Sequence, residues 1–191
     1  MYPNFFKRII DFFISFIAII CLSPLFLIIP LLIKLETKGP AFFLQERLGR
    51  NGKVFRIIKF RSMRVGKMNQ KDDFENYHNN PRVTKVGKFI RKTSLDEIPQ
   101  VINILKGEMA FIGPRPPLVY YPKAYSDYTD YEKKRFSVKP GLSGLTQVRN
   151  RFIDDWNHNI PIDIEYVENL SFMNDCKLFL LSFKSFFMQT K

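Results

Sequence analysis

The feature that most constrains this chain is a stretch of 22 residues without a charge, from Phe12 to Ile33. As a helix it would extend roughly 33 Å at about 1.5 Å per residue, which is enough to cross the hydrocarbon core of a bilayer. No small-residue cleavage site follows the stretch, so a signal peptide is disfavoured. The sequence therefore predicts a membrane helix within residues 1–36 and a polar unit over residues 37–191.

A proline interrupts this helix near its middle. Pro24 has no N–H to donate to the carbonyl of Ile20, and its ring would clash with that carbonyl. The hydroxyl of Ser23 is placed to satisfy part of the freed backbone. We therefore expect a helix break at Ser23-Pro24.

The charges that flank the apolar stretch indicate its orientation. Basic residues stand on both sides of it, at Lys7, Arg8, Lys34 and Lys38. Positive flanks prefer the cytoplasmic face of a membrane. A broken helix that enters and leaves on the same side satisfies this preference at both ends, so we favour a re-entrant helix. A single straight span is the alternative.

The whole chain is strongly basic. It has 30 Lys and Arg against 18 Asp and Glu, a formal net charge of +12 at pH 7. Such an excess favours anionic partners, namely lipid headgroups, phosphorylated metabolites or nucleic acid. One of its 2 cysteines lies inside the apolar stretch, so no disulfide framework is indicated and exposure to the reducing cytoplasm fits.

Asn51-Gly52 separates two short segments, Phe42–Leu48 and Lys53–Phe60. Asn-Gly supplies the positive φ angles of a tight turn, so the pattern predicts a β-hairpin. The surrounding region is rich in Lys and Arg. It could form a basic face on anionic lipid, or Lys59 and Arg61 could point into a phosphate site.

Apolar residues recur at helical spacing between Ser94 and Lys106, and Gly107 follows. The pattern predicts a short amphipathic helix that ends at this glycine. Ser94 and Glu97 have the spacing of a capping box, which would make their role structural. Alternatively, Asp96 and Glu97 are held ionised at the helix N-terminus, where they could supply a nucleophile or share Mg²⁺ with a pyrophosphate.

A proline-rich segment, Gly113–Pro117, comes next. Proline fixes φ and lacks the N–H that an inner strand requires, so the segment predicts a stiff turn around Arg115. A rigid guanidinium suits bidentate phosphate binding, and a surface loop with an idle arginine is the alternative.

The remaining pattern completes the fold class. Residues 163–188 combine acidic residues with apolar stripes typical of core helices, and the phenylalanine-rich end of this stretch also suits an interfacial amphipathic helix. The sequence predicts an α+β protein that is mainly helical. It would have an N-terminal re-entrant membrane helix and a small cytoplasmic domain with a β-hairpin and interfacial amphipathic helices.

Taken together, the motifs resemble a known family. They are Lys7-Arg8-x-x-Asp11, Ser23-Pro24, Gly39-Pro40, Lys59-Phe60-Arg61-Ser62-Met63, Thr93-Ser94-Leu95-Asp96-Glu97-Ile98-Pro99-Gln100, Gly113-Pro114-Arg115-Pro116 and Lys139-Pro140-Gly141. In this order they resemble the small monotopic phosphoglycosyl transferases of the bacterial sugar transferase family. The likeness covers nearly the whole chain.

The resemblance implies a polyprenyl-phosphate sugar-1-phosphate transferase at the cytoplasmic face of the bacterial inner membrane. Its substrates would be a nucleotide sugar, usually a UDP-sugar, and polyprenol phosphate, with Mg²⁺ as cofactor. Asp96 would be the nucleophile that forms a covalent phosphosugar intermediate, Glu97 would assist in metal or proton handling, and both would be metal ligands. The residues expected to bind substrate are Lys59, Arg61, Arg91, Arg115 and Arg151.

Two other functions compete with this one. A membrane-tethered protein that binds nucleic acid or another anionic polymer would use the same charge. However, no aromatic platform or reading module accompanies the basic residues, so we expect no nucleic acid partner. In a scaffold protein of the membrane surface, Asp96 and Glu97 would merely cap a helix. The sequence leaves the identity of the sugar and the oligomeric state open.

Overall fold

The computed structural model describes residues 2–65, 80–149 and 155–187. The protein is mainly helical with two small sheets, in agreement with the predicted α+β class. Its helices are α1 Lys7–Cys21, α2 Ser23–Glu36, α3 Lys85–Lys92, α4 Gln100–Lys106, α5 Asp130–Lys133, α6 Leu145–Arg149, α7 Trp156–Glu168 and α8 Phe172–Phe187. Its strands are β1 Phe42–Leu48, β2 Val54–Phe60, β3 Ala110–Ile112 and β4 Gly141–Ser143.

The apolar N-terminal stretch is broken where the sequence predicts. α1 and α2 meet at Leu22 with a bend of 59°. The Ser23 hydroxyl donates to the Ile20 carbonyl over 2.8 Å, which satisfies the acceptor that Pro24 cannot reach. No single helix in the described ranges is long and apolar enough to cross a membrane. The bent pair meets that requirement by length and composition alone.

α1 turns its polar residues inward and its apolar residues outward. Lys7, Asp11 and Ser15, each four residues apart, are buried against the rest of the protein. The exposed large side chains of α1 are Ile9, Phe12, Phe13, Ile14, Phe16, Ile17 and Ile20. This distribution is the reverse of that on a helix packed against a water-soluble core, and it leaves an extended apolar surface on the outside.

Polar contacts join α1 to the rest of the protein. Lys7 Nζ lies 2.6 Å from Asp175 Oδ2 on α8, and Asp11 Oδ1 accepts a hydrogen bond of 3.2 Å from the backbone N–H of Phe111 in β3. Arg8 donates to two carbonyls near the end of α4. Because these buried charges have partners, the cost of their burial is offset and α1 has a defined orientation.

β1 and β2 form the predicted hairpin. The strands pair antiparallel, with Phe42 opposite Phe60. Asn51 and Gly52 adopt positive φ angles of 55° and 73°, as an Asn-Gly turn requires. The Phe60 ring lies 5.7 Å from that of Phe26 on α2, which connects the hairpin to the apolar helices. The buried residues of this core are Ile29, Ile33, Ala41, Phe60 and Ile90.

β3 and β4 form a short parallel pair that positions the proline-rich turn. The N–H of Gly113, directly after β3, donates to the Ser143 carbonyl over 2.9 Å. A Cβ atom on Gly141 would lie 2.2 Å from the Gly113 nitrogen, so this close approach of two backbones requires glycine. The pair brings the turn next to α6.

α7 and α8 contribute to the protein core, as one interpretation of their sequence predicts. Their buried apolar side chains are Ile160, Ile164, Tyr166 and Leu178. α8 also exposes Phe172, Met173 and Leu180. The interfacial role of this helix stays a prediction.

Candidate active site

The segment that carries Asp96 and Glu97 differs from the predicted helix. Leu95–Glu97 forms a single 3₁₀ turn, and α4 begins only at Gln100. Ser94 has a left-handed backbone (φ 51°) and makes no side-chain capping bond, so the predicted capping box is wrong. Pro99 explains the late start, because proline favours the first turn of a helix and cannot donate within it. The predicted end at Gly107 is confirmed by its φ of 85°.

Lys59 of β2 contacts this turn directly. Its Nζ lies 2.6 Å from Glu97 Oε1, and both side chains are partly shielded from solvent. A charge-assisted hydrogen bond of this length is among the stronger polar contacts in proteins. Lys59 therefore pairs with the second member of the carboxylate pair, and its predicted contact with substrate stays a prediction.

The two carboxyl groups titrate in different ranges. Asp96 is 7% exposed, and burial raises its pKa to about 6, against the opposing charge of Lys59 and with the added repulsion of Glu97. Burial also acts to raise the pKa of Glu97, but the charges of Lys59 and Arg115 outweigh it and lower that pKa to about 2. Both groups are therefore ionised above pH 7, but Asp96 takes up a proton at a much higher pH than Glu97 does.

A shallow cleft that is open to solvent lies beside this turn. Its lining residues are Arg47, Ile57, Lys59, Glu97, Gln100, Arg115, Pro116, Gly141, Leu142 and Gln147. The fold thus brings together three of the predicted site residues, Lys59, Glu97 and Arg115, from segments far apart in the chain. Asp96 lies next to this cleft as the chain neighbour of Glu97.

Three polar residues of the cleft were not among the predicted site residues. The β-hairpin register puts Arg47 on the same face as Lys59, so a predicted hairpin already carried the signal for it. Gln100 is 3% exposed, and its place one turn after Glu97 is a weaker signal. Gln147 Oε1 is buried with no hydrogen-bond partner among the described residues.

Arg115 lies on the predicted stiff turn. Its side chain is exposed, whereas Pro114, Pro116 and Pro117 are buried around it. Proline has no N–H, so the turn is fixed through its carbonyls, and Arg47 donates to one of them, that of Pro116, over 3.1 Å. The geometry suits a guanidinium held at the edge of the cleft for an anion.

The other predicted arginines have different positions. Arg61 is buried, and its guanidinium donates to the carbonyls of Thr37 and Lys38, each over 2.9 Å. Arg61 thus holds the chain that leaves α2, away from the residues that line the cleft, and its predicted phosphate contact stays a prediction. Arg91 of α3 lies close enough to lower the pKa of Asp96, although burial outweighs it. Arg151 lies outside the described residues.

The carboxylate pair fits a divalent cation only together with a ligand. No group of three or more His, Cys, Asp or Glu side chains that could hold a metal ion occurs in the described part of the chain. Mg²⁺, however, is commonly bound by one or two carboxylates, and substrate phosphates and water complete its coordination. Asp96 and Glu97 supply such a set beside a cationic cleft.

Comparison with known proteins shows the family to which this chain belongs. The family model described as bacterial sugar transferase matches residues 2–189. The chain belongs to the bacterial sugar transferase family. The resemblance to this family that the motifs indicate is thereby confirmed.

Several curated sugar transferases are similar to this chain. The galactosyl transferase CpsE of Streptococcus agalactiae serotype III is 45% identical over 158 residues, which is 76% of this chain and 34% of CpsE. The UDP-glucose:undecaprenyl-phosphate glucose-1-phosphate transferase of Escherichia coli K12 is 38% identical over 186 residues, or 94% of this chain and 40% of the relative. The uncharacterized sugar transferase EpsL of Bacillus subtilis is 36% identical over 92% of this chain and 84% of its own length. The chain thus spans well under half of the first two relatives.

Proposed function

We propose that this protein transfers a sugar-1-phosphate from a UDP-sugar to polyprenol phosphate at a membrane surface. The observation that carries the proposal is the buried carboxyl of Asp96, with its raised pKa, beside a cleft lined by Lys59, Arg47 and Arg115. Membership of the bacterial sugar transferase family supports the reaction class, and the name of the Escherichia coli relative supports the two substrates.

Asp96 is the proposed nucleophile. A carboxylate whose pKa is about 6 is largely ionised near pH 7.5 and more basic than an ordinary aspartate, which favours attack. A carboxylate oxygen of Asp96 forms a bond to the phosphorus that bears the sugar. The bond from that phosphorus to the bridging oxygen breaks, and its electron pair leaves with UMP.

The second step returns the enzyme to its starting state. A phosphate oxygen of polyprenol phosphate attacks the same phosphorus, and the bond between this phosphorus and the Asp96 oxygen breaks. The carboxylate recovers its electron pair, and the product is a polyprenyl diphosphosugar. Because the two substrates are handled in turn, a small cleft suffices for a soluble donor and a lipid acceptor.

The neighbouring groups have complementary roles in this proposal. Arg115 and Arg47 bind donor phosphate oxygens, and Lys59 holds Glu97 ionised next to the nucleophile. Asp96 and Glu97 would hold Mg²⁺ together with the donor phosphates, and the ion would neutralise the charge that opposes attack. Arg91 adds a positive charge near Asp96.

The proposal places the cleft at the cytoplasmic face of a bacterial inner membrane, with α1 and α2 as a re-entrant helix. The 59° bend and the exposed apolar side chains of α1 support this arrangement. The buried polar stripe of α1 supports it as well, because it joins the helix to the unit that carries the cleft. The site would then lie near the headgroup region, within reach of a lipid phosphate.

The experiment uses the full chain in detergent with Mg²⁺, polyprenol phosphate and a panel of UDP-sugars. We expect UMP release that requires both the lipid and one or more of the donors. Incubation with the donor alone, followed by mass spectrometry, should locate a sugar-phosphate adduct on Asp96, and Asp96→Asn should remove both signals. An adduct on Glu97, or the absence of UMP with every donor, would contradict the proposal.

A further inference from the structure

The turn that carries Arg115 is fixed almost entirely by its carbonyl groups. Pro114, Pro116 and Pro117 have no N–H, so only their oxygens can accept anchoring hydrogen bonds. All four consecutive carbonyls of residues 114–117 accept one. The donors, in chain order, are Gly141 N at 2.9 Å, Arg135 Nη2 at 2.9 Å, Arg47 Nη1 at 3.1 Å and Leu48 N at 3.0 Å.

The donor to the carbonyl of Arg115 itself is a fully buried arginine. Arg135 is 1% exposed, and its guanidinium also donates to Asp163 Oδ2, from Nε over 3.1 Å and from Nη2. Asp163 is equally buried. The ring of Trp156 lies 5.2 Å from the Arg135 guanidinium carbon, which restricts the guanidinium plane further.

The same ion pair also contacts the helix that carries another cleft residue, Gln147. Asp163 Oδ1 accepts a hydrogen bond of 2.6 Å from the hydroxyl of Thr146 on α6. Thr146 directly precedes Gln147, which lines the cleft. A chain of three buried side chains therefore connects the backbone of Arg115 to the helix that carries Gln147.

We propose that Arg135, Asp163 and Thr146 form a positioning network that sets where Arg115 stands in the substrate cleft. The inference rests on the proposed function, since it assumes that Arg115 binds the donor phosphates. A buried ion pair is weak evidence for stability, because desolvation offsets the attraction between its charges. The planar fork of an arginine nevertheless fixes the direction in which its guanidinium donates hydrogen bonds. Lysine at position 135 would keep the charge and could not serve both acceptors with the same planar geometry.

The test is a double-mutant cycle between Arg135→Lys and Arg115→Ala. We expect Arg135→Lys to lower kcat/KM for the UDP-sugar at least tenfold, mainly through KM. In the Arg115→Ala background the same change should alter kcat/KM less than twofold, because the effect passes through Arg115. Independent effects that multiply across the cycle would overturn the inference.

A neighbouring residue supplies the matched control. Lys134 lies on the same turn as Arg135. At the exposed surface it pairs over 3.0 Å with Glu168, which lies on α7 as Asp163 does. Lys134→Gln should therefore leave kcat/KM within twofold of the wild type. An effect as large as that of Arg135→Lys would point to the general attachment of this turn and would also overturn the inference.

A milder variant guards against misfolding. Thr146→Val keeps the shape of the side chain and the Arg135–Asp163 pair but removes one hydrogen bond to the network. We expect Thr146→Val to lower kcat/KM threefold to tenfold and to have no such effect in the Arg115→Ala background. If Arg135→Lys does not fold, this second double-mutant cycle tests the network. Wild-type protein without any transferase activity would refute the proposed function instead. Active wild-type protein with multiplicative effects refutes only the network.

Discussion

Lys59 Nζ lies 2.6 Å from Glu97 Oε1, and this contact makes Glu97 chemically different from its chain neighbour. Glu97, paired with Lys59 and near Arg115, has a pKa of about 2. Asp96 is governed by burial and has a pKa of about 6. The more basic carboxylate is the better nucleophile, whereas the permanently ionised one is the better partner for cations. This difference supports the proposed role of Asp96 as the nucleophile.

The first prediction is that Asp96→Asn stabilises the protein at alkaline pH. The folded-state pKa of Asp96 lies above its unfolded value of about 4, so the destabilisation by its ionisation builds up between about pH 4 and 6 and is present in full above 6. Removing the charge should raise the free energy of unfolding at pH 8 by roughly 3 kcal/mol at most. The gain should fade as the pH falls from 6 to 4. Denaturant unfolding in detergent at these pH values measures it, and equal stability at pH 8 would contradict it.

The second prediction has the opposite sign. The folded-state pKa of Glu97 is lowered, so its charge stabilises the fold above about pH 4.5, and this contribution is lost as the pH falls towards 2. Glu97→Gln should lower the free energy of unfolding at pH 7 by about 1–2 kcal/mol, since it leaves Lys59 without its partner. Glu46→Gln is the control, because Glu46 pairs at 3.7 Å with Arg56 on the exposed face of the hairpin. A Glu97→Gln protein as stable as this control would refute the prediction.

The third prediction concerns the pH dependence of turnover. If Asp96 attacks as the carboxylate, kcat/KM should rise about tenfold per pH unit below about 6 and reach a plateau above it. Steady-state UMP release between pH 5 and 8 tests this. A flat profile down to pH 5 would show that the group that attacks has a much lower pKa.

The fourth prediction is that Arg115→Lys lowers turnover about 10–100-fold and leaves the fold intact. The substitution keeps the charge and removes the planar fork that binds two phosphate oxygens at once. Arg56→Lys on the exposed face of β2 serves as the control, because the Arg56 side chain lies at the surface, where it pairs with Glu46 over 3.7 Å. Near-normal turnover in Arg115→Lys, with an unchanged circular dichroism spectrum, would exclude a bidentate contact.

The fifth prediction is that both ends of the N-terminal helix pair face the cytoplasm. Cysteines placed at Asn4 and Lys38, in a background without Cys21 and Cys176, should both react with an impermeant thiol reagent added to inverted membrane vesicles. Replacing Ser23 by Ala together with Pro24 by Leu removes the helix break, so position 4 should become protected. Labelling of the two sites from opposite sides in the parent protein would show a single span.

The sequence predicted three residues that line the cleft, and it also predicted Arg61, which lies elsewhere. Lys59, Glu97 and Arg115 were predicted because the motifs that contain them resemble those of a known family. Arg61 was assigned to the substrate on the same basis. Its guanidinium binds the carbonyls of Thr37 and Lys38, which are 24 and 23 residues away in the chain. A local sequence pattern cannot predict a partner this far away in the chain.

Local forces by themselves determined three features of this fold. The break at Ser23-Pro24 follows from a missing N–H, the hairpin from the positive φ of Asn51-Gly52, and the end of α4 from Gly107. Each of these features depends only on a residue and its nearest neighbours in the chain, so the sequence is enough to predict it.

Only the tertiary structure decided how the two carboxylates differ and how Arg115 is held. The pair of Lys59 with Glu97 joins residues 38 apart in the chain, and that of Arg135 with Asp163 joins residues 28 apart. A pKa and the direction of a guanidinium depend on burial and on charges within a few ångströms. These distances exist only after packing has brought the segments together.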